Sequence, residues 1–390
     1  MQDFVFQNIT KIVFGHNAEM SIGKEVKRYA DRVLLHFGGG SVKKSGLYDR
    51  VTASLKDNGV SYIELGGVQP NPRVTLVREG IKLVRENDLQ LILAVGGGSV
   101  IDSSKAIAMG TPYDGDVWDI YSGKVTVDKA LPVATVLTIP AAGSESSNSS
   151  VITNMELGRK YGCTNNVTTP VVSCLNPELT YTLPAYQIGC GASDILAHMM
   201  ERYFVNVPVT DLTDRLIEGA ITSLMKYAPL AIENPTDYDI RAEVMWTGTI
   251  AHNNLLDTGR QGGDWASHNI EHELSAVYDI AHGAGLSIVF PAWMKHVRKV
   301  NPKKLVQFGQ RVFGIEGKSD DETIDLMIEK LEAWYTSIGV PTRLSQADIG
   351  SDKLEMMAEN AVGGNREAGS LGSYVALKYE DVLNILKLAQ

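Results

Sequence analysis

Through roughly the first 180 positions, short apolar runs alternate with turn residues and helical patterns. "RVLLHF" leads into "GGGSVKKSG", "SYIEL" into "GGVQPNP", "LILAV" into "GGGSVIDSSKA" and "VATVLTI" into "PAAGSESSNSS". A short apolar run followed by a turn and a helix-spaced stretch, repeated several times, predicts a mainly parallel sheet covered by helices. Ligands of such sheets bind beyond the carboxyl ends of the strands, which is where these glycine turns fall. After "NPELTYTLP" the pattern changes, and long amphipathic stretches such as "TDLTDRLIEGAITSLMKYAPLAIE" replace the strands. The chain therefore reads as an α/β N-terminal domain over residues 1–183 and an all-α C-terminal domain over residues 184–390.

Length and composition support this division and exclude several classes. A chain of 390 residues is too long for one ordinary core. The net charge of −10 argues against nucleic acid or an anionic membrane as a partner, because either would be repelled over most of the surface. Only three cysteines are present, Cys163, Cys174 and Cys190, with no C-x-x-C pair, so neither a disulfide framework nor a cysteine-rich zinc site is expected and a cytoplasmic setting fits. The N-terminus "MQDFVFQNIT" lacks a basic segment followed by an apolar run, and no stretch offers about 18 consecutive apolar residues, so neither secretion nor membrane insertion is expected. The sequons at Asn8, Asn148 and Asn166 then carry no expectation of a glycan.

Two glycine turns hold candidate binding chemistry. In "LILAVGGGSVIDSSKA" a strand runs into Gly96, Gly97 and Gly98, followed by Ser99 and a helix carrying Asp102 and Lys105. Glycines admit a ligand close to the backbone, and helix-start amides stabilise phosphate oxygens, so a pyrophosphate site is the functional reading. A tight strand-to-helix turn capped by Ser99 is the plain structural one. Neither triplet completes G-x-G-x-x-G: Ile101 and Lys43 stand at the third glycine positions. The earlier turn, Gly38, Gly39, Gly40 and Ser41 followed by Lys43 and Lys44, lacks the carboxylate that often holds a ribose 2′-hydroxyl. Amides, a hydroxyl and an ammonium suit a 2′-phosphate, which favours NADP(H) and leaves NAD(H) as the second choice; a loop with two solvated lysines is the structural alternative.

The helical half gathers histidines. "SHNIEHE" spells H-x-x-E-H, the inverted zinc-peptidase pattern, through His268, Glu271 and His272. In "GCGASDILAHMMERYF", Asp194 and His198 are four apart and share a helical face. With His282 these residues supply more than enough ligands for one divalent first-row metal, and their ligand types suit iron(II) and zinc alike. A peptidase has no use for a dinucleotide domain, whereas a metal half and a glycine half together imply hydride transfer at an oxygen polarised by the metal.

At this point the chain resembles the iron-containing, or group III, alcohol dehydrogenases, especially their butanol dehydrogenase-like branch. The resemblance runs over essentially the whole sequence, most strongly in "GGGSVIDSSKA", "TIPAAGSESSNSSVIT", "NPELTYTLP", "GASDILAHMMERYF" and "SHNIEHELSAVYDIAHG". It implies metal ligation by Asp194, His198, His268 and His282, with His272 left beside the metal as a catalytic-site residue and Glu271 as a helix-surface or outer carboxylate. It implies a dinucleotide cleft between the domains, with Gly97, Gly98 and Ser99 at the pyrophosphate, Asp102 on the same helix, and Thr138, Ser147, Lys160 and Leu179 farther along the cofactor. Gly38 to Ser41 match the NADP-preferring branch. Ala142 departs from the commoner threonine before Gly143-Ser144-Glu145 and removes one hydroxyl contact. A homodimer acting on small alcohols and aldehydes is implied as well. A polyol dehydrogenase of the same superfamily, a lyase on the dehydroquinate synthase fold, a metal-binding module without activity and the peptidase are the competing readings.

Overall fold

The apolar runs become strands of one sheet. The structure is a computed structural model and describes residues 1–260 and 262–390. The chain packs as two units, one comprising Gln7–Thr182 and the other Leu183–Gln390 together with Met1–Phe6.

In the first unit β1 (Lys11–Phe14), β2 (Arg32–Phe37), β3 (Ser61–Leu65), β4 (Leu91–Gly96), β5 (Val133–Leu137) and β8 (Val172–Leu175) form a six-stranded sheet in the order β1-β8-β5-β4-β2-β3. Every neighbouring pair is parallel. Strand side chains alternate between faces, so Val33, Leu35, Leu91, Leu93 and Val95 enter one apolar layer while Leu34 and Ile92 enter the other. Burial on both faces explains why these strands read as continuous apolar runs. The helices of this unit are α1 (Ile22–Val26), α2 (Ser41–Lys44), α3 (Leu47–Asp57), α4 (Val74–Glu86), α5 (Gly98–Gly110) and α6 (Val117–Tyr121). A separate antiparallel hairpin pairs β6 (Ser149–Asn154) with β7 (Arg159–Thr164).

This strand order creates a switch point. From β2 the chain steps outward to β3, then returns to the other side of β2 and proceeds through β4, β5 and β8. The reversal lies between β2 and β4, where Phe37 pairs with Val95, so the two glycine loops leave the sheet side by side. Open α/β sheets bind their ligands at such a point.

The second unit is helical: α7 (Ala185–Tyr203), α8 (Asp211–Glu233), α9 (Tyr238–His252), α10 (Ala266–Tyr278), α11 (His282–Val297), α12 (Pro302–Phe313), α13 (Asp320–Ser337), α14 (Leu354–Ala361) and α15 (Tyr379–Leu388). At its centre α11 is buried almost all round and packs against α7, α10, α13 and α15. A helix apolar on every side belongs in the middle of a bundle. The observed architecture is the α/β and all-α pairing that the hydrophobic pattern predicts. Among the described residues, no helix is long and apolar enough to cross a membrane.

Candidate metal and dinucleotide sites

The helical packing draws four predicted ligands together. Asp194 and His198 lie one turn apart on α7, His268 is in the first turn of α10, and His282 opens α11. Asp194 Oδ1 lies 3.5 Å from His198 Nδ1, 4.0 Å from His268 Nε2 and 3.9 Å from His282 Nε2. Asp194, His198 and His268 are buried and His282 is half-buried. Glycine makes this convergence possible. A Cβ on Gly283 would stand 1.9 Å from the Cys190 carbonyl oxygen, so only a bare backbone lets α11 start this close to α7. The Ser193 hydroxyl closes the contact by donating to the Gly283 carbonyl at 2.6 Å.

Two buried glutamates orient two of the histidines. Glu201 Oε1 lies 2.8 Å from His268 Nδ1 and accepts the His268 backbone amide at 3.0 Å. Glu271 pairs with His282 Nδ1 and accepts from the Ser275 hydroxyl. Each carboxylate engages Nδ1, which turns Nε2 toward Asp194 and raises its basicity, the arrangement expected behind metal-bound imidazoles. Burial pushes the Glu201 carboxyl up to about 8, against the opposing pull of backbone amides including that of His268. Burial likewise drives His198 well below its ordinary value, with His252 and His268 adding to the effect. A buried imidazole that resists protonation keeps a lone pair for a cation.

One carboxylate oxygen and three imidazole nitrogens within this space fit a divalent first-row metal, which accepts mixed O and N donors. The same residues do not fit the peptidase reading. Among the described residues, the groups that bring ligand atoms within 4.8 Å of one another are Asp194, His268 and His282, and separately Glu271, His272 and His282. His268 and His272, the pair that H-x-x-E-H requires, fall in different groups. His272 is half-buried on α10 with its ring 5.6 Å from that of His282.

In the α/β unit, α5 starts at the carboxyl end of β4 with Gly97 as its N-cap and no side chain capping its amides. A Cβ on Gly98 would sit 3.0 Å from the Ala142 methyl, so the backbone of Gly97, Gly98 and Ser99 forms a narrow half-buried cradle. Uncapped amides at the start of a helix of this length suit a pyrophosphate. Gly38 to Gly40 lie between β2 and α2, and Ser41 opens α2, with Gly39, Gly40 and Ser41 exposed. Thr138 borders the second loop, its amide donating to the Gly96 carbonyl at 3.0 Å. Leu179 is half-buried in the turn Pro177–Thr180.

Asp102, Ser147 and Lys160 are more enclosed. Asp102 accepts from the Ser144 hydroxyl at 2.6 Å and the Val151 amide at 3.0 Å. Buried Lys105 donates to Ser144 Oγ and the Ser147 and Ser149 carbonyls at 2.8–2.9 Å. Burial lowers this ammonium to about 8 while Asp102 pulls it back up. Asp102 and Lys105 thus hold the Ser144–Ser149 segment in place, and the side chains of Ser147 and Lys160 are buried.

Sequence reasoning missed Glu201, Trp265 and His252. Glu201 follows Asp194 and His198 at i+7 and i+3, so helical spacing places all three on one face of α7. Trp265 stands with its ring 5.1 Å from that of His268, and the His252 ring is 4.2 Å from that of His198. Neither carries a local motif; tertiary packing alone brings them here.

The chain belongs to the iron-containing alcohol dehydrogenases. The family model described as "Iron-containing alcohol dehydrogenase" matches residues 9–177, and the "Fe-containing alcohol dehydrogenase family, C-terminal" model matches residues 190–390. Among curated relatives, "Probable NADH-dependent butanol dehydrogenase 2" of Bacillus subtilis is 46% identical, covering 99% of each chain. "NADPH-dependent aldehyde reductase YqhD" of Escherichia coli is 39% identical, covering 90% of each. The crystal structure of NADH-dependent butanol dehydrogenase A from Thermotoga maritima superimposes with a TM-score of 0.96 at 43% identity, covering 100% of this chain and 99% of that one.

Proposed function

We propose that this protein interconverts primary alcohols of about butanol size and their aldehydes, with Asp194, His198, His268 and His282 holding iron(II), or zinc in its place, and with a nicotinamide dinucleotide on the glycine loops. The observation that carries this reading is the convergence of three histidine nitrogens on Asp194 Oδ1 within 4.0 Å. The bound metal supplies Lewis-acid polarisation of the alcohol or carbonyl oxygen. In the oxidative direction the alcohol would give up a proton from oxygen and a hydride from carbon to leave as the aldehyde, a bound nicotinamide supplying the hydride acceptor. The amides of Gly97, Gly98 and Ser99 would hold the pyrophosphate and Thr138 and Leu179 would border the cofactor, with the buried Ser147 and Lys160 side chains in the layer behind. His272, one turn beyond His268, passes the proton toward solvent, a role its half-buried position permits.

NADP(H) is favoured over NAD(H) in this reading because Gly38 to Ser41 place no carboxylate in the loop to repel a 2′-phosphate. Relatives named for NADH and for NADPH support a site that takes either cofactor. A homodimer is part of the proposal, supported by apolar side chains exposed along the N-terminal segment at Phe4, Val5, Phe6, Ile9 and Phe14. The cytoplasmic setting rests on three cysteines that form no disulfide.

Anaerobic reconstitution with iron(II) or zinc, followed by assays of butanal and glycerol with each cofactor, tests the assignment. Butanal reduction that depends on added metal is the expected result. Faster turnover of glycerol would replace it with a polyol dehydrogenase, and metal-independent turnover would remove the proposed centre.

A further inference from the structure

The ammonium read from sequence as a phosphate ligand is already engaged. Lys43 lies on α2, just past the first glycine loop, and its Nζ is 3.0 Å from Glu64 Oε2. The same ammonium stands 5.1 Å from the Phe37 ring centre and 4.6 Å from that of Tyr48. Phe37 is the last residue of β2 before Gly38, and Glu64 on β3 pairs with Leu35 of β2. The second oxygen of Glu64 accepts from the Tyr48 hydroxyl, which also lies 3.4 Å from that of Tyr62. The carboxylate is therefore fixed by a tyrosine, while the lysine is held by that carboxylate and two ring faces.

We propose that Glu64 is a cofactor-specificity residue: it neutralises Lys43 beside the ribose loop and so limits how far NADP(H) is preferred to NAD(H). This rests on the reading above that Gly38 to Ser41 receive the adenosine ribose. A 2′-phosphate, carrying roughly −1.5 to −2 charges like other phosphate monoesters, gains Lys43 as a partner only by drawing it away from Glu64. A 2′-hydroxyl has no comparable charge and is largely indifferent to either residue. The half-exposed pair is itself weak and exchanges readily, so its main effect is on the charge met by the incoming ligand rather than on stability. Tyr48 keeps Glu64 ionised: its hydrogen bond is the largest influence and holds the carboxyl below its usual value, with Lys43 acting in the same direction against burial.

Glu64→Gln preserves the shape and an acceptor for Tyr48 while removing the charge. Binding of NADPH and NADH, followed by the fluorescence of the reduced nicotinamide, reads the consequence without requiring turnover. NADPH affinity should rise at least about fivefold with NADH changed less than twofold, and the gain should shrink at high ionic strength. Lys43→Met added to Glu64→Gln should abolish the gain, because the released ammonium is its source. Gly39→Asp, at a position where a Cβ meets nothing within 4 Å, should weaken NADPH more than NADH if the ribose lies here. An unchanged NADPH-to-NADH ratio in Glu64→Gln, a gain that survives Lys43→Met, or a Gly39→Asp variant with the original ratio would each overturn the proposal. Binding without turnover would sink the dehydrogenase reading and leave this one standing; no binding of either nucleotide would sink both.

Discussion

Asp194 meets three histidines through a single oxygen, so neighbouring residues can be separated by what they do to that meeting. His272 shares α10 with His268 but lies outside the cluster around Asp194. His272→Ala should therefore retain the metal and fold while turnover falls roughly ten- to ten-thousandfold, the span of general acid–base contributions, with an altered pH–rate profile. Metal content measured beside kcat decides it: loss of the metal would make His272 a ligand, and unchanged kcat would make it structural. Glu201 works one layer out. Glu201→Gln keeps an oxygen for the His268 amide but removes the carboxylate that a cation on His268 would hold ionised against burial, and should weaken metal binding about 10- to 100-fold in a chelator competition. Undiminished affinity would show that the bond merely closes the start of α10.

At the scale of elements, the central strands β2, β4 and β5 were legible because both of their faces are buried. "RVLLHF" is β2 residue for residue, "SYIEL" is β3, and "LILAV" is β4 up to its first glycine. The hairpin β6–β7 escaped because "SSVITN" and "RKYGCT" are short and largely polar, with no long apolar run to mark them. In the site, motif spacing revealed Asp194 and the histidines, but not Trp265 or His252, whose places depend on how whole helices pack. His36 shows a similar limit. It reads as part of an apolar run, yet it is fully buried on β2 with Nδ1 2.7 Å from the Leu65 carbonyl and Nε2 2.8 Å from the Ser103 hydroxyl. Burial lowers it to about 4, although its bond to Leu65 opposes the shift.

The folded state thus takes up less proton at His36 than the unfolded chain does between pH about 4 and the unfolded value of about 6.5, and stability must fall as pH drops through that window. The contribution reaches about 3 kcal/mol at the acid end. Urea midpoints between pH 7 and 4.5 should fall less steeply in His36→Gln than in the wild-type protein. Parallel slopes would remove His36 as the cause.

For the whole molecule, the proposed metal ligands come from α7, α10 and α11, and no single stretch of the chain supplies enough of them to close the site. A ligand that binds only the packed form stabilises it by mass action, by about 2.7 kcal/mol at one hundred times its dissociation constant. Calorimetry should show the melting temperature rising with free metal and falling after dialysis against a chelator, by roughly 5–10 °C for a unit of this size. A melting temperature independent of metal would mean that the cluster does not bind it tightly in the folded state.

The close approach of Gly283 to the Cys190 backbone then acquires a second meaning. Where α11 abuts α7 so tightly that a methyl group has no room, a side chain at that point would act at a distance, displacing His282 without touching any donor atom. The damage would surface as leakage of ion from an otherwise helical protein. Such a lesion would be mistaken for a cofactor deficiency, and supplementation with excess metal would partly mask it.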